Sequence, residues 1–394
     1  MKILVLNAGS SSLKYQVIEM PKQIVKCVGL VERIGMEDAI FKHEKEGEEF
    51  LETLPILNHK IGLQKIADTL TDPKIGVVTN ANEIEAVGHR VVHGGNKFSK
   101  TVLVTKEVKS NIKALFDLAP LHNPANLTGI EISETIFKSA KQIVVFDTAF
   151  HQTMPKKAYQ YAIPNNYLDN HHIRAYGFHG TSHKYVSEKA IEKLALKDSK
   201  IITIHLGNGC SMAALQNGKT IDTSMGFGPM NGLIMGTRSG DIDPSVIFFL
   251  MKKLNKNAEE VNTLLQKESG MLGLTGHADL REITEKASNG NKNCKNALDL
   301  ATYKIQKYIG AFTAALNGLD AIVFTAGIGE NSAIIRALVC ENLDFLGIDL
   351  DFNKNALKSK EIREIQKTTG KVKIFVIPTN EELEIAIQSY NLLN

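Results

Sequence analysis

A short pattern near the N-terminus returns in the second half of the chain, and any fold for this sequence has to accommodate both copies. Residues 3–6 are apolar and rich in branched side chains, Asn7-Ala8-Gly9-Ser10-Ser11-Ser12 comes next, and residues 13–18 return as a second largely apolar run. That reads as strand, tight turn, strand. Residues 201–206 are again apolar, Gly207-Asn208-Gly209-Cys210 is again a turn, and 211–215 is the returning strand. Placing Gly9 over Gly207 puts Asn7 over His205 and Ser12 over Cys210 without a gap. The match implies two halves built on one β-hairpin, each able to aim backbone N–H groups at a phosphate.

The length of 394 residues exceeds one ordinary core, so two domains with a cleft between them are expected. A third Gly-rich turn, Ala326-Gly327-Ile328-Gly329-Glu330-Asn331, comes after the apolar run 321–325, and helical periodicity resumes at Ile334, Ile335 and Leu338. Strand, glycine turn and helix can place a nucleotide on a helix N-terminus. Helices are expected at 106–118, 125–139, 182–197, 255–267 and 295–317, and their mixture with strands predicts α/β layers. Residues 42–49 read as a solvated charged loop or hairpin. The net charge of +3 gives no reason to expect nucleic acid or a membrane surface as partner. Cys27, Cys210, Cys294 and Cys340 are far apart and form no CxxC, which argues against a disulfide framework or zinc knuckle. Residues 3–6 are too few for a signal peptide's apolar region, and 246–251 too few for a membrane span. A cytoplasmic protein is expected.

Familiar nucleotide signatures do not fit. Gly218-Lys219-Thr220 ends as a P-loop does, but Ala213 stands where the first glycine is required. Gly207-Asn208-Gly209 and Gly327-Ile328-Gly329 have Met212 and Ser332 where a dinucleotide fingerprint needs its third glycine. Each turn alone is an ordinary turn; three together favour phosphate binding on another scaffold. Arg90, in Gly88-His89-Arg90-Val91-Val92-His93-Gly94-Gly95, sits where a charge is costly unless paired, so it belongs either to a structural ion pair or to an anion site. Asp147 ends the apolar run 143–146, where α/β sheets bind ligands, or caps the segment after it. His179 and His183 are four apart, but with no acidic or third ligand at helical spacing and with Gly180 between them they make a poor zinc site. His179 is read as a catalytic or phosphate contact and His183 as facing a helix's first turn. Arg238, in a Gly-rich loop with Asp241 and Asp243, either holds an anion or belongs to a surface turn. Glu381 comes after the strand 374–377 and Pro378, where a carboxylate can hold Mg²⁺ through water or complete a capping box.

Taken together, these strings closely resemble the acetate kinase family, within the acetate and sugar kinase, Hsp70 and actin superfamily. The resemblance covers essentially the whole chain and is carried by 5–14, 88–95, 119–124, 146–151, 177–183, 205–211, 222–227, 235–244, 327–331 and 378–383. It implies an α/β fold of two duplicated ribonuclease H-like (actin-like ATPase) domains with a central cleft. The N-terminal domain would span 1–147 plus 380–394 and the C-terminal, nucleotide-binding domain 148–379. The implied reaction is reversible, in-line transfer of the ATP γ-phosphoryl to acetate, giving acetyl phosphate and ADP. Asn7 and Glu381 resemble the Mg²⁺-side residues, with Mn²⁺ as a substitute metal. Lys14, His205, Leu206, Gly207, Asn208, Gly209, Asp279, Leu280, Arg281, Gly327, Ile328, Gly329, Glu330 and Asn331 resemble the nucleotide-binding segments. Arg90, Asp147, His179 and Arg238 resemble the residues around the transferred phosphoryl, and Val92, Leu121, Phe178 and Pro229, with Arg90, those that bind acetate. Asn231 stands where relatives usually have Glu, and Thr275-Gly276-His277-Ala278-Asp279 replaces a more Ser-rich string. A homodimer is also implied.

Phosphoryl transfer between two anions needs positioning and charge neutralisation more than covalent chemistry. Two arginines and a histidine donor suit that need, and closure of the cleft would exclude water. Propionate or butyrate would be alternative acceptors, since one methylene is worth only about 1–3 kcal/mol. A non-metabolic actin- or Hsp70-like ATPase would explain the hairpins and glycine turns but not Arg90, Arg238 and His179.

Overall fold

Residues 3–6, 84–91 and 143–146 are buried nearly throughout, as central strands of a sheet covered on both faces must be. A computed structural model describes residues 1–120 and 122–394 and divides into two units, Met1–Phe150 with Asn380–Asn394, and His151–Thr379. Leu121 lies outside the described residues.

The first unit holds an eight-stranded sheet. Its strands are β1 (Lys2–Ala8), β2 (Ser12–Glu19), β3 (Ile24–Glu32), β4 (Met36–Lys45), β5 (Glu48–Ile56), β6 (Ile84–Val91), β7 (Val102–Leu103) and β8 (Lys141–Phe146), in the order β5-β4-β3-β2-β1-β6-β8-β7. β1 to β5 run antiparallel, while β6 lies parallel to both β1 and β8. Side chains alternate across β1. Ile3 and Val5 pack with Ile385 and Ala386 of the C-terminal helix Glu381–Leu393, and Leu4 and Leu6 pack with Leu63 and Ile66 of the helix His59–Leu70. The C-terminal helix approaches closely because Gly88 has no side chain: a Cβ there would lie 2.8 Å from both Ile385 Cγ2 and Ser389 Oγ. The charged segment 42–49 is the tip of the β4–β5 hairpin, with Lys45 paired to Glu48.

The second unit holds six strands, β9 (Lys200–Leu206), β10 (Cys210–Gln216), β11 (Lys219–Thr223), β12 (Ala321–Thr325), β13 (Arg363–Glu364) and β14 (Lys373–Val376), in the order β11-β10-β9-β12-β14-β13. Here β9 and β10 are antiparallel, and β12 lies parallel to both β9 and β14. The run β3-β2-β1-β6-β8 thus has the same order and directions as β11-β10-β9-β12-β14. The two hairpins differ in one respect. Ala8 pairs with Leu13, whereas Leu206 pairs with Cys210, so the first turn carries one more residue than an ungapped overlay of the sequences allows.

The helix expected over 255–267 begins at Ala258, where Asn257 and Glu260 form a capping box. At the C-terminus Asn380, not a capping box, closes the last helix by accepting from Leu383 N, which leaves the Glu381 carboxylate available for other contacts. All four cysteines are free and buried. Among the described residues no helix is long and apolar enough to cross a membrane.

Candidate active site

In the first unit, three parallel or hairpin strands end side by side and deliver polar side chains to one place, where the C-terminal helix adds another. Asn7 comes from the end of β1, Arg90 from β6, Asp147 from just beyond β8 and Glu381 from the first turn of the C-terminal helix. Asp147 is fixed by its backbone N–H, which donates to Val91 O at 3.0 Å. Arg90 Nη2 donates to Asp147 Oδ2 at 2.5 Å, and Nη1 to Asn7 Oδ1 at 3.3 Å. Its Nε lies 3.8 Å from Glu381 Oε2. Burial works against the charge on Arg90, but Asp147 and Glu381 outweigh it and raise its pKa. Burial pushes Glu381 up to about 7, Arg90 opposing and Asp147 and Glu382 adding to the rise. Two carboxylates thus share one guanidinium, and the second ionises with difficulty until further positive charge arrives.

The second unit supplies a cavity of about 850 Å³. Its walls include Leu206, Gly207 and Asn208 at the β9–β10 turn, Asp279, Leu280 and Arg281, and Gly327, Ile328 and Asn331 of the short helix Ala326–Asn331, which stands where the sequence predicts a glycine turn. Gly327 leaves open space where a Cβ would stand, and Ala326 before it is held in the left-handed region at φ 63°. Asp279 caps the helix Leu280–Ser288 and pairs with Arg281 at 2.6 Å, a contact that holds its carboxyl down at about 2. His179 is the residue before the helix Gly180–Leu194 and also has a left-handed backbone, φ 54°. Its Nδ1 lies 2.9 Å from Ser211 Oγ, and its ring stacks on His205 at 4.2 Å between centroids. Arg238 is half-buried and donates from Nη1 to Pro229 O at 2.8 Å. Burial lowers its pKa, and among the described residues it forms no ion pair. A guanidinium held by a carbonyl and facing no carboxylate is receptive to an anion. A Cβ at Gly209 would lie 3.2 Å from His179 Nε2 and 3.7 Å from Arg238 Nη1, so both groups border the glycine turn.

A family model described as the acetokinase family matches residues 2–387. The chain belongs to the acetokinase family. It is 60% identical over 393 residues to an acetate kinase from Flavobacterium johnsoniae, covering 100% of both chains, and 53% identical to one from Thermosipho africanus, covering 98% of this chain and 96% of that one. Among solved structures, an acetate kinase from Porphyromonas gingivalis superposes with a TM-score of 0.95 at 45% identity over 100% of both chains. A propionate kinase from Francisella tularensis does so with a TM-score of 0.93 at 42% identity over 98% of both. The two sheets are therefore the duplicated ribonuclease H-like, actin-like ATPase architecture that this acetokinase sequence implied.

Within that architecture not every expected residue meets its group. His205, Gly209, Gly329 and Glu330 do not line the cavity. Gly329 and His205 are buried, and Glu330 accepts from Thr379 N through Oε1. Lys14 lies on β2 of the first unit with its side chain exposed. Val92 is buried in the first unit, its N–H bound to Asn126 Oδ1, while Phe178 and Pro229 belong to the second. Arg336 is absent from the residues that the sequence singles out, although an arginine in the apolar helix Ala333–Cys340 is a visible signal. It is almost fully buried and donates to Gly329 O, Glu330 O, Asn355 Oδ1 and Asn355 O, which fixes the exit of the third glycine turn.

Proposed function

We propose that the protein catalyses reversible transfer of the γ-phosphoryl of ATP to acetate. The observation that carries this reading is Arg238, a half-buried guanidinium with no carboxylate partner among the described residues, bordering the same glycine turn as His179. Acetate is preferred over propionate as acceptor because the relatives at 60% and 53% identity are named acetate kinases, whereas the propionate kinase is at 42%.

In this reading the cavity of the second unit holds adenosine and the polyphosphate, with backbone N–H groups of the two glycine turns directed at phosphate oxygens. An acetate oxygen attacks the γ-phosphorus in line as the bond to the β-phosphate oxygen breaks, so acetyl phosphate and ADP form together. Arg90 and Arg238 hold the anionic groups against their mutual repulsion, and His179 donates to a γ-oxygen. Val92, Phe178, Pro229 and Leu121 take the methyl group. Asp147 does not act as a base, because acetate is already ionised near neutrality; it orients the Arg90 fork through their 2.5 Å contact. Among the described residues no three His, Cys, Asp or Glu side chains are grouped to cage a metal. Asn7 and Glu381 offer oxygen atoms of the kind that would suit Mg²⁺, held partly through water. Mg²⁺ held by them, or Mn²⁺ in its place, would supply positive charge to offset that of the phosphates. A cytoplasmic homodimer completes the proposal; the exposed Phe248 and Phe249 on the helix Pro244–Lys253 support association.

Incubating the protein with ATP, Mg²⁺ and acetate and trapping acyl phosphate with hydroxylamine tests the reaction. Stoichiometric hydroxamate and ADP are expected; ADP without hydroxamate would return the ATPase reading.

A further inference from the structure

Behind His179 runs a chain of buried hydroxyls and one imidazole. Its Nδ1 is 2.9 Å from Ser211 Oγ, and the same oxygen is 2.7 Å from His183 Nε2. On the far side of that ring, His183 Nδ1 is 2.7 Å from Thr203 Oγ1. The fold builds the chain from three elements. His183 sits one helical turn after His179, its N–H bound to His179 O, while Thr203 and Ser211 come from the paired strands β9 and β10. Thr203, Ser211 and His183 are all fully buried.

Burial, with His151 and His205 beside it, keeps the His183 ring neutral, so one of its nitrogens donates and the other accepts. The chain can then run only in two directions. In one, His179 donates to Ser211, Ser211 to His183 and His183 to Thr203, and the Thr203 hydroxyl is left with Ala213 O at 3.5 Å. That distance is too long for a good O–H···O bond, and a buried donor without a good acceptor is costly. In the other, Thr203 donates to His183 Nδ1, His183 Nε2 donates to Ser211, and Ser211 donates to His179 Nδ1. Every proton in this second arrangement has an acceptor within 2.9 Å.

We infer that Thr203, His183 and Ser211 form a directional relay that holds neutral His179 as its Nε2–H tautomer. Its donor nitrogen then borders Gly209 beside Arg238 Nη1 and is ready for a phosphoryl oxygen without prior protonation. The charged or titratable groups around that ring include His205, stacked on it, Arg238 across Gly209, and His183 through Ser211. The three relay members are positioning residues, since none needs to touch substrate. The inference deepens the proposed function, resting on the role given there to His179.

Long-range ¹H–¹⁵N correlation on histidine-labelled protein reads the tautomer directly. The wild type is expected to carry the His179 proton on Nε2. Thr203→Val keeps the shape but removes the first donor, and Ser211→Ala removes the bridge. Each should let the proton appear on Nδ1 and lower kcat by about 10- to 100-fold, the usual scale for losing a residue that orients a functional one, with KM for ATP unchanged. Thr203→Ser should restore both the tautomer and kcat. An Nδ1–H tautomer in the wild type overturns the inference, as do variants that keep both the tautomer and kcat. Should a variant not fold, the wild-type spectrum alone decides. The spectrum needs no substrate, so a failure to form acyl phosphate would count against the proposed function and not against the tautomer.

Discussion

Arg90 is where residue chemistry bears hardest on the proposed reaction. Its guanidinium meets Asp147 and Asn7 through two different nitrogens, a geometry that a planar fork can satisfy and an ammonium cannot. Arg90→Lys should therefore lower kcat/KM by about 10² or more, the scale of a lost transition-state donor. Steady-state kinetics with acetate and ATP measure this, and near-full activity would remove the positioning role. Asp147→Asn keeps a hydrogen-bonding side chain beside Arg90 but deletes the charge. The variant should lose most of its kcat and show a weakened Mg²⁺ titration, with the shape of its pH profile near neutrality unchanged. An acidic limb that vanishes in the variant while the Mg²⁺ titration stays the same would restore proton transfer. Arg90 and Asp147 are visible in the sequence because each is a charge placed against an apolar strand. Their mutual contact is not, since they come from separate strands of one sheet and meet only in the fold. Ser211 and Thr203 are invisible for another reason: a buried hydroxyl in a strand carries no charge or spacing that sets it apart.

At the scale of elements, the paired hairpins are legible because an apolar run, a glycine turn and a returning run are local. The one-residue difference in their return strands is not, because strand register is set by the packing of both faces. The second hairpin turn also depends on a neighbour distant in sequence. A Cβ at Gly236 would lie 2.2 Å from Asn208 Oδ1, so Gly236→Ala must displace Asn208 from the cavity wall. If the Asn208 side chain contacts the nucleotide, the loss of one hydrogen bond worth about 1 kcal/mol predicts a rise of about fivefold in the Kd for ATP by calorimetry. Unchanged ATP affinity would show that this turn does not hold the nucleotide. The sheet of the first unit predicts a pH response. Burial depresses His89 and His93 to about 4 each, His89 being tied to Gln142 Oε1 at 2.7 Å. The unfolded chain binds these protons near the ordinary value of 6.5 and the folded chain does not. Stability from the two histidines is therefore complete above about 6.5 and is lost as pH falls towards 4, by up to about 1.4 kcal/mol per pH unit for each. Urea midpoints across that window should fall with pH, and less steeply in His89→Gln; identical slopes would exclude His89 as a contributor.

For the molecule as a whole, the candidate site residues are divided between the two units. The first holds Arg90, Asp147, Asn7 and Glu381; the second holds the cavity, His179 and Arg238. Catalysis as proposed needs both shares on one phosphoryl, so neither ATP nor acetate alone should be consumed. Length and the repeated hairpin are the sequence's signs of a chain in two halves, and the structure has two units, each with its own sheet. Acceptor size is not legible, because the volume of a binding pocket is set by packing among residues distant in sequence, whose types alone do not fix it. The most direct measurement is ATP turnover by the purified protein with no acceptor and then with formate, acetate, propionate or butyrate. Turnover should be negligible without a carboxylate, and kcat/KM should be highest for acetate, with propionate behind it by a margin that one methylene can supply, about 10- to 200-fold at most. ATP hydrolysis that proceeds equally well without any carboxylate would contradict the proposed transfer to acetate.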